Sequence, residues 1–393
     1  MASTESPVSS SWLSELQEEL AALQRRSLRR TILTPRDGQG ETLRIDGHDL
    51  LNLTSNNYLG LAGDSRVVDG SIEAARLYGA SVSASRLLCG STPLHEELER
   101  RLAALKGQEG ALLYSSGYMA NLGVLTALAR SGDVIFSDAL NHASIIDGCR
   151  LSGASTKVYK HCDLEHLEEL LATNPARRRI IVSETVFSMD GDIAPLASLV
   201  ELANSYDAVL VLDEAHATGV LGPGGEGALA RFQLDPSGIV VIGTLSKALA
   251  SAGGFVAASA TVIEYLLNRS RPFIFNTALP PSSVGAALVA LDIVSREPER
   301  RAQLEMLSVR LRDGFAVAGY PLSTSETAIV PLVLGAADAA LALEGKLREA
   351  GILSRAIRPP TVPEGTARIR FNLIATHTAE DIDRVLAVVP SPA

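Results

Sequence analysis

Cysteine is scarce in this sequence of 393 residues, and so is any surplus of positive charge. The three cysteines, Cys89, Cys149 and Cys162, are an odd number and lack the close spacing of a metal site, which favours the reducing cytoplasm. Lysine and arginine together number 35 against 45 acidic residues, so the formal net charge is −10. A protein that binds nucleic acid through the phosphate backbone normally has a basic face, and the composition therefore argues against that function.

Long hydrophobic runs are also missing from the sequence. The most apolar long stretch, residues 328–345, is interrupted by Pro331, Gly335 and Asp338 and therefore predicts no membrane span. The first eleven residues, MASTESPVSSS, lack the basic start and apolar core of a signal peptide, and we interpret them as a frayed tail. With 46% hydrophobic residues, the chain is suited to a large core divided between about two domains.

Strand and helix patterns alternate along most of the chain. The spacing of Leu13, Leu16, Leu20 and Leu23 predicts an amphipathic arm within residues 1–48. From about residue 110, fully apolar runs alternate with helical patterns, which predicts an α/β fold with a mostly parallel sheet covered by helices, in a large domain over residues 49–285. Beyond it, a polar-faced helix, three strands and two helices, the last opening with a capping box at Thr378, predict a smaller α+β domain over residues 286–393.

Polar residues directly follow several of the predicted strands. Asp213 ends the strand VLVLD with His216 just beyond it, Lys247 follows IVVIG, and His142 follows VIFSD. Ligands of open parallel sheets bind beyond the carboxyl ends of the strands, so we expect these side chains to converge. A further strand, LLYSSG, leads straight into the helix that opens with Tyr118, and the free amides of that helix are suited to a phosphate.

These groups together predict a site for pyridoxal phosphate. Lys247 is the only charged residue between positions 240 and 256, and an amine beside an apolar strand is costly unless it has a use. A desolvated lysine is a nucleophile that can bond to an aldehyde. A carboxylate such as Asp213 keeps a pyridine nitrogen protonated, so that the ring can withdraw electrons from a carbanion.

Each of these residues also has an ordinary structural interpretation. A lysine that ends a strand is usually a solvated turn residue, and a lone histidine such as His142 is usually hydrogen-bonded in a loop. The residues DEAH at 213–216 resemble a helicase-type acidic box, but the sequence has no GxxxxGK[ST] phosphate loop to accompany it. Asp190 and Asp192 resemble part of a calcium loop whose later ligands are missing, so we predict no metal site.

Five segments, taken in order, resemble the motifs of the α-oxoamine synthases, which are fold-type I pyridoxal-phosphate enzymes. They are YSSGYMAN from residue 114, DALNHASIIDG from 138, ETVFSMDGDIAPL from 184, LDEAHATGVLGPGGEG from 212 and GTLSKALASAGGFV from 243. The similarity covers about residues 45 to 388. Residues 356–383, AIRPPTVPEGTARIRFNLIATHTAEDID, are similar to the biotin-pathway branch of this family.

The resemblance implies a role for each residue of the cofactor site. Lys247 would bond to the cofactor aldehyde, Asp213 would pair with the ring nitrogen, and His142 would stack on the ring. His216 and Ser188 would lie beside the phenolic oxygen. A larger set of amides and hydroxyls would bind the phosphate: Gly117, Tyr118, Thr244, Ser246 and, in a homodimer with shared sites, the partner subunit's Thr277.

The resemblance also implies the substrates. Arginine can bind a carboxylate through two parallel hydrogen bonds, and Arg370 matches the carboxylate-binding arginine of the family, with Asn56 near it and Arg358 as the second candidate. A salt-bridged strand arginine is the ordinary interpretation of Arg358 and Arg370. The implied reaction condenses L-alanine with a pimeloyl thioester and releases carbon dioxide and the thiol.

Several alternatives remain open at this point. Glycine C-acetyltransferase, 5-aminolaevulinate synthase and serine palmitoyltransferase belong to the same family and differ in amino acid and acyl group. A regulator that binds the cofactor without reaction, or a structural dimer without cofactor, would keep the fold. The pimeloyl carrier is either coenzyme A or acyl carrier protein, and the basic clusters QRRSLRR and ARRRI could contact an acidic carrier or simply be solvated surface.

One segment departs from the family pattern. Ala80, Val82 and Ala84 occupy positions where the family commonly has a glycine-rich turn, and their side chains restrict the backbone and narrow the space. Ala250, where glycine often follows SKAL, is a milder change. The acyl-chain entrance, and with it the acyl donor, is therefore not determined by the resemblance.

Overall fold

The computed structural model describes residues 11–26, 28–30 and 32–392, so the tail predicted over the first residues lies almost wholly outside the described residues. The predicted arm contains helix α1 (Ser11–Arg25), and its leucines and Trp12 are exposed. An antiparallel pair of strands follows, β1 (Thr42–Ile45) and β2 (His48–Asn52), and then two helices, α2 (Ser65–Tyr78) and α3 (Pro93–Leu105).

The middle of the chain forms a seven-stranded sheet with helices between the strands. In chain order the elements are β3 (Gly110–Tyr114), α4 (Gly117–Leu128), β4 (Val134–Asp138), α5 (Ala143–Ser152), β5 (Ser155–Tyr159), α6 (Leu164–Thr173), β6 (Arg179–Glu184), α7 (Leu196–Ser205), β7 (Ala208–Asp213), α8 (Ala228–Arg231), β8 (Val240–Thr244) and β9 (Gly254–Ala258). The strand order is β3-β9-β8-β7-β6-β4-β5, and β9 runs antiparallel to both of its neighbours. The predicted α/β fold with a mostly parallel sheet is confirmed.

The apolar strands are buried on both faces of this sheet, as expected when helices cover both sides. Alternate residues of a strand enter two different cores: in β7, Leu210 and Leu212 pack on one side and Val211 on the other. The same alternation separates Phe136 from Ile135 in β4. The side chains that end these strands therefore emerge from a rigid, closely packed support.

The C-terminal part adds further helices and a second, smaller sheet. Its elements are α9 (Ala260–Arg269), α10 (Arg271–Ile274), α11 (Pro281–Arg296), α12 (Glu299–Val317), β10 (Ile329–Gly335), α13 (Ala337–Glu349), β11 (Ile352–Leu353), β12 (Arg355–Ile357), β13 (Ala367–Asn372) and α14 (Ala379–Val388). Strand β13 lies between β10 and β12 and is antiparallel to both. The predicted capping box at the start of α14 is present, with Thr378 and Asp381 exchanging hydrogen bonds.

The predicted domain boundaries fall inside elements of this structure. Strand β11 pairs in parallel with β2, so residues 48–52 share a sheet with the C-terminal part and the boundary at 48/49 lies at the first residue of β2. The boundary at 285/286 lies within α11, whose apolar residues continue along the helix from Val284 to Val294. The division of the chain into a large and a small domain stays a prediction. Among the described residues, no helix is both long and apolar enough to span a membrane.

Candidate active site

Three neighbouring strands end at the groups that form the site. Glu184 ends β6 and Asp213 ends β7, and the two residues lie opposite each other in the register of these parallel strands. Lys247 follows the end of β8, which is the next strand of the sheet. The structure therefore brings Lys247 and Asp213 to one edge of the sheet, as the strand pattern predicts.

Lys247 is half-buried, and its Nζ makes no hydrogen bond or ion pair with any other described residue. Burial lowers the pKa of Lys247 to about 8, against the opposing effect of the Asp213 and Glu184 carboxylates. The positive charge of Arg370 lowers this pKa as well. About a tenth of the amine is therefore uncharged at pH 7, far more than for an ordinary lysine, and the uncharged amine is the form that attacks an aldehyde.

Asp213 is buried and accepts one hydrogen bond on each carboxylate oxygen. Asn121 of α4 donates from Nδ2 to Oδ2 over 2.7 Å, and the backbone amide of Ala215 donates to Oδ1 over 2.8 Å. N–H donors stabilise the negative charge of a carboxylate. Asp213 is thus prepared to pair with a cationic group such as a protonated pyridine nitrogen.

Glu184 is a buried acid in this site that our sequence analysis did not include. Burial raises the pKa of Glu184 to about 8, and the charge of Asp213 raises it further, while Lys247 opposes both effects. Within the part of the chain that is described, its Oε1 atom is buried without a hydrogen-bond partner. A signal was present in the sequence, since Glu184 ends the strand RIIVSE in the way that Asp213 ends VLVLD.

His142 is the N-cap residue of α5. Its Nδ1 lies 2.8 Å from the hydroxyl of Ser144 and accepts a hydrogen bond from the Ser144 amide over 3.2 Å. The Tyr118 ring meets the His142 ring edge-on, with centroids 6.5 Å apart. Desolvation lowers the pKa of His142 and Lys247 lowers it too, against the opposing effect of Asp213, so the ring is neutral near pH 7.

His216 is buried, and its Nδ1 lies 2.6 Å from the hydroxyl of Tyr58. Burial holds the pKa of His216 well below its usual range, and the charges of Lys247 and Arg370 act in the same direction. Ser188 is buried in the loop after β6, and its backbone amide lowers the pKa of Glu184, against the larger effect of burial. Tyr58, in the segment SNNYLG, is a second neighbour that the sequence analysis missed.

The N-terminus of α4 packs tightly against the end of β8. A Cβ placed on Gly254 would lie 2.4 Å from the amide nitrogen of Gly117. A Cβ placed on Gly117 would lie 3.3 Å from the Cβ atom of Thr244. This close approach sets the first amides of α4, at Gly117 and Tyr118, beside the hydroxyls of Thr244 and Ser246, whose oxygens are 2.8 Å apart. The Thr244 hydroxyl donates to the Gly253 carbonyl over 2.9 Å, so its contact with Ser246 uses the Ser246 hydrogen, and the donors free for a phosphate are the helix amides. The role of the two hydroxyls at a phosphate stays a prediction.

Two arginines of β13 have different partners. Arg370 donates from Nη2 to the Asn56 side-chain oxygen over 3.1 Å, and this oxygen also accepts from Asn372 over 3.0 Å. Arg368, on the same face of the strand, forms an ion pair with Asp190. Arg370 has no carboxylate within ion-pair distance among the described residues, and its Nε is buried without a partner. The salt-bridged interpretation therefore applies to Arg368, and Arg370 is available for a carboxylate.

Arg358 and Thr277 are located by their strand neighbours. Arg358 follows β12 directly, and β12 pairs with β13 so that Arg355 lies opposite Arg370. Thr277 lies opposite Ser85 in an isolated antiparallel bridge. Within one chain Thr277 is therefore attached to the segment around residue 85, and its role at a phosphate stays a prediction that requires the partner subunit.

The segment that departs from the family pattern contains a strained residue. Ser83, between Val82 and Ala84, has a φ of +50°, and Ala250 has a φ of +49°, in the left-handed region that favours glycine. The Ala84 carbonyl accepts a hydrogen bond from the amide of Ala278 over 3.0 Å. The altered segment is thus attached to the residue that follows Thr277.

Both acidic residues of the calcium-like sequence have cationic partners. Asp190 pairs with Arg368, and Asp192 lies 2.9 Å from Nε2 of His161. The other ring nitrogen of His161 lies 3.0 Å from Asp138. Although burial by itself lowers the pKa of His161, hydrogen bonds to these two carboxylates raise it to about 12. A charged His161 therefore connects the end of β4 to the loop after β6.

The residues at this edge of the sheet fit pyridoxal phosphate by their chemistry. They supply a half-buried amine without a partner, a buried carboxylate for a ring nitrogen and a donor set for a phosphate. The guanidinium of Arg370, whose Nε has no partner among the described residues, supplies a cation for a substrate carboxylate.

Comparison with known proteins gives a consistent result. Residues 48–389 match the aminotransferase class I and II family. The chain is 48% identical over 371 residues to the 8-amino-7-oxononanoate synthase of Anaeromyxobacter dehalogenans strain 2CP-1, which covers 94% of this chain and 93% of that protein.

Solved structures show the same relationship. A serine palmitoyltransferase (SPT) structure described as holding a PLP internal aldimine superposes with a TM-score of 0.90 at 32% identity and covers 96% of both chains. The 8-amino-7-oxononanoate synthase of Francisella tularensis superposes with a TM-score of 0.75 at 30% identity and covers 86% of this chain and 96% of that chain.

Proposed function

We propose, since this chain belongs to the aminotransferase class I and II family, that it is an 8-amino-7-oxononanoate synthase with pyridoxal phosphate as its cofactor. It condenses L-alanine with a pimeloyl thioester and releases 8-amino-7-oxononanoate, carbon dioxide and the free thiol, a step of biotin biosynthesis. The 48% identity to an enzyme of that name supports the substrate assignment. The observation that carries the chemistry is the convergence of Lys247, Asp213 and Arg370.

Several residues would hold the cofactor. Lys247 would bond to its aldehyde, and Asp213 would pair with the ring nitrogen. The amides of Gly117 and Tyr118 and the hydroxyls of Thr244 and Ser246 would bind its phosphate. When bound, pyridoxal phosphate withdraws electrons from the α-carbon of an amino acid through its protonated ring.

Three further side chains would orient the ring. His142, neutral because of its lowered pKa, would lie on the ring face without placing a second positive charge there. His216 and Ser188 would lie beside the phenolic oxygen. Tyr58 occupies Nδ1 of His216, which leaves Nε2 for that contact.

Arg370 would bind the carboxylate of L-alanine. Its Nε has no partner within the described part of the chain, and its Nη2 is oriented by the Asn56 side chain. Two parallel N–H donors match the two oxygens of a carboxylate, so this contact would orient the α-carbon. Arg358 stays the second candidate for a substrate carboxylate.

Proton transfer would fall to Lys247. Its lowered pKa lets Nζ accept the α-proton of alanine near neutral pH and return a proton to the product carbon. His142 would polarise the carbonyl of the pimeloyl thioester when this group is attacked. The carrier, either coenzyme A or acyl carrier protein, would leave as its free thiol.

The setting of the enzyme is part of the same proposal. We expect a cytoplasmic homodimer, consistent with three free cysteines among the described residues. The partner subunit's Thr277 would complete the phosphate site. We retain the division into a large domain that holds the cofactor and a small domain that carries Arg370. We expect neither nucleic acid nor a membrane among its partners.

One experiment tests the substrate assignment. The purified holoenzyme is titrated with L-alanine, glycine and L-serine while the absorption spectrum of the bound cofactor is followed, and pimeloyl-CoA is then added and the product is identified by mass spectrometry. We expect selective binding of L-alanine and formation of 8-amino-7-oxononanoate. Preference for glycine or L-serine would assign the chain to a sister activity, and a spectrum that none of them changes would contradict an enzymatic role.

A further inference from the structure

A continuous chain of hydrogen bonds joins Asp213 to His142 through two side chains that the proposed reaction does not use. Nδ2 of Asn121 donates to Asp213 over 2.7 Å and to the hydroxyl of Ser144 over 2.9 Å. The Ser144 oxygen lies 2.8 Å from Nδ1 of His142. Asn121, Ser144 and Asp213 are all buried, so water does not compete for these contacts.

The orientation of the Asn121 amide follows from its partners. The opposite orientation would set its oxygen against the Asp213 carboxylate, so the NH2 group must face Asp213. Both of its hydrogens are then used, one by Asp213 and one by Ser144. The Asn121 oxygen is buried without a partner among the described residues, which is unfavourable by itself. The two donors are therefore what this side chain contributes.

The same chain of donors selects the tautomer of His142. Because the Ser144 hydroxyl accepts from Asn121, it is free to donate its own hydrogen to Nδ1 of His142. The Ser144 backbone amide donates to the same nitrogen over 3.2 Å. A ring nitrogen that accepts hydrogen bonds carries no proton, so neutral His142 holds its proton on Nε2.

We infer that Asn121 is a positioning residue that couples the two groups on which the cofactor ring depends, an inference that rests on the proposed function. Through one hydrogen, Asn121 donates to the Asp213 carboxylate and fixes its orientation. Through the other, by way of Ser144, it holds His142 as the Nε2–H tautomer. Its effect reaches the ring only through these two residues.

The test uses matched variants of the holoenzyme. Asn121→Leu removes both donors at similar volume, Ser144→Ala removes only the branch to His142, and Ser144→Thr keeps the hydroxyl. Thr126→Val is the control, because the Thr126 hydroxyl, on the same helix, bonds only to the carbonyl of Leu122 over 2.6 Å.

The first readout is the tautomer of His142, observed by NMR of 15N-labelled imidazoles and assigned with a His142→Asn variant. We expect an Nε2–H ring in the wild type, Ser144→Thr and Thr126→Val. We expect a larger share of the Nδ1–H tautomer in Ser144→Ala and Asn121→Leu, where the backbone amide of residue 144 is the donor to Nδ1 that remains in both. An unchanged tautomer in both of the latter would overturn the inference. Where Asn121→Leu does not fold, the serine pair still tests the step from Ser144 to His142, and an unchanged tautomer in Ser144→Ala would overturn the branch that reaches His142.

The second readout separates the branch to Asp213. We expect kcat of Asn121→Leu with L-alanine to fall by roughly 10- to 100-fold, as for loss of a hydrogen bond to a charged group, with a smaller change in KM. The pH profile of its kcat should differ from that of the wild type, because Asp213 faces three titratable groups, Lys247, Glu184 and His142. A loss no greater than in Ser144→Ala would contradict the Asp213 branch. A wild type that makes no 8-amino-7-oxononanoate would defeat the proposed function, whereas the tautomer measurement would still decide the inference.

Discussion

Two lysines lie beside consecutive carboxylates, Asp213 and Glu214, and have opposite surroundings. Nζ of Lys106 lies 2.5 Å from the Glu214 carboxylate and 2.8 Å from the Thr218 hydroxyl, and both ion-pair side chains are almost wholly buried. Lys247, near Asp213, has no partner within the described residues. Lys106 also donates to the carbonyl of Glu226, so the first amine has every hydrogen used, and the second is free to react.

The difference arises where β7 ends. Successive residues of an extended chain point to opposite sides, so Glu214 turns away from the face that Asp213 occupies. Glu214 also accepts the backbone amides of Ala228 and Leu229 over 2.7 and 3.2 Å. A Cβ on Gly227 would lie only 2.0 Å from this carboxylate, and the φ of Gly227 is +128°. The Lys106–Glu214 pair is thus fully hydrogen-bonded, and it stabilises the turn that carries His216. Burial alone therefore does not make a lysine reactive.

Removal of the reactive amine should have the largest effect on activity. We expect Lys247→Ala to abolish turnover, because it removes the amine that bonds to the cofactor, while the free energy of unfolding near pH 7 does not fall below that of the wild type. Product formation and chemical denaturation measure the two quantities. Lys160→Ala, at an exposed lysine, is the control. Turnover of Lys247→Ala within tenfold of the wild type would contradict the assignment of Lys247 as the reactive amine.

The structural lysine should show the reverse. We expect Lys106→Met to lower the free energy of unfolding by about 3–5 kcal/mol, because it leaves the Glu214 carboxylate buried without a cation. Lys160→Met, which removes an exposed ion pair of 3.8 Å, should lose less than about 1 kcal/mol. Urea denaturation of both variants measures the two losses. Equal losses in the free energy of unfolding would show that the buried ion pair stabilises the fold no more than the exposed one.

The two arginines of β13 sharpen the same comparison. Arg370→Lys should raise KM for L-alanine by roughly 10- to 100-fold, since a lysine cannot replace two parallel donors to a carboxylate. Arg368→Lys keeps a cation beside Asp190 and should leave KM nearly unchanged. Steady-state kinetics over a range of alanine concentrations compare the variants. A similar rise in KM for both would remove the distinction between them.

The rate of cofactor uptake should depend on pH through the Lys247 amine. Since burial lowers the pKa of Lys247 from 10.5 to about 8, the uncharged fraction of the amine, which attacks the aldehyde, decreases steadily as the pH falls below 8. The rate of pyridoxal-phosphate uptake by cofactor-free protein should rise about tenfold per pH unit and level off near pH 8. Stopped-flow absorption gives this rate. A plateau near 10.5 would mean that the amine is as exposed as a surface lysine.

The same shift acts on stability, and its sign is opposite to that of a salt-bridged lysine. Because the pKa of Lys247 is lower in the folded chain, the unfolded chain binds more protons between about pH 8 and 10.5. The contribution of this residue to the free energy of unfolding therefore rises with pH across that window. Lys247→Ala should remove that rise, and an identical pH slope in the variant would contradict the assignment.

Much of the fold follows from local patterns. The apolar runs that end in Asp213 and Thr244 are strands β7 and β8, and the residues after them meet at one edge because parallel strands share direction. Strand β9 was missed because three of its five residues, GFVAA, are glycine or alanine and because it follows a run of alanine, serine and glycine that resembles a loop. The pairing of β2 with β11 was missed because it joins segments about 300 residues apart.

The residues of the site also fall into those that a local pattern could reveal and those that it could not. Glu184 could have been found, since it ends an apolar strand, but Asn121 and Tyr58 could not. Asn121 lies within an apolar helix, where only its contact with Asp213 distinguishes it from an ordinary polar residue.

By itself the sequence determined most of the strands and helices of the large sheet and several of the residues that end its strands, because the spacing of apolar residues is a local property of the chain. The tertiary structure alone decided which of two lysines closes an ion pair and which of two arginines stays available. Arg368 and Arg370 look alike in ARIRFN, and only the position of Asp190, from a loop nearly 180 residues away, neutralises one of them. A charge becomes reactive or structural through its neighbours in space, and these are set by packing between distant segments.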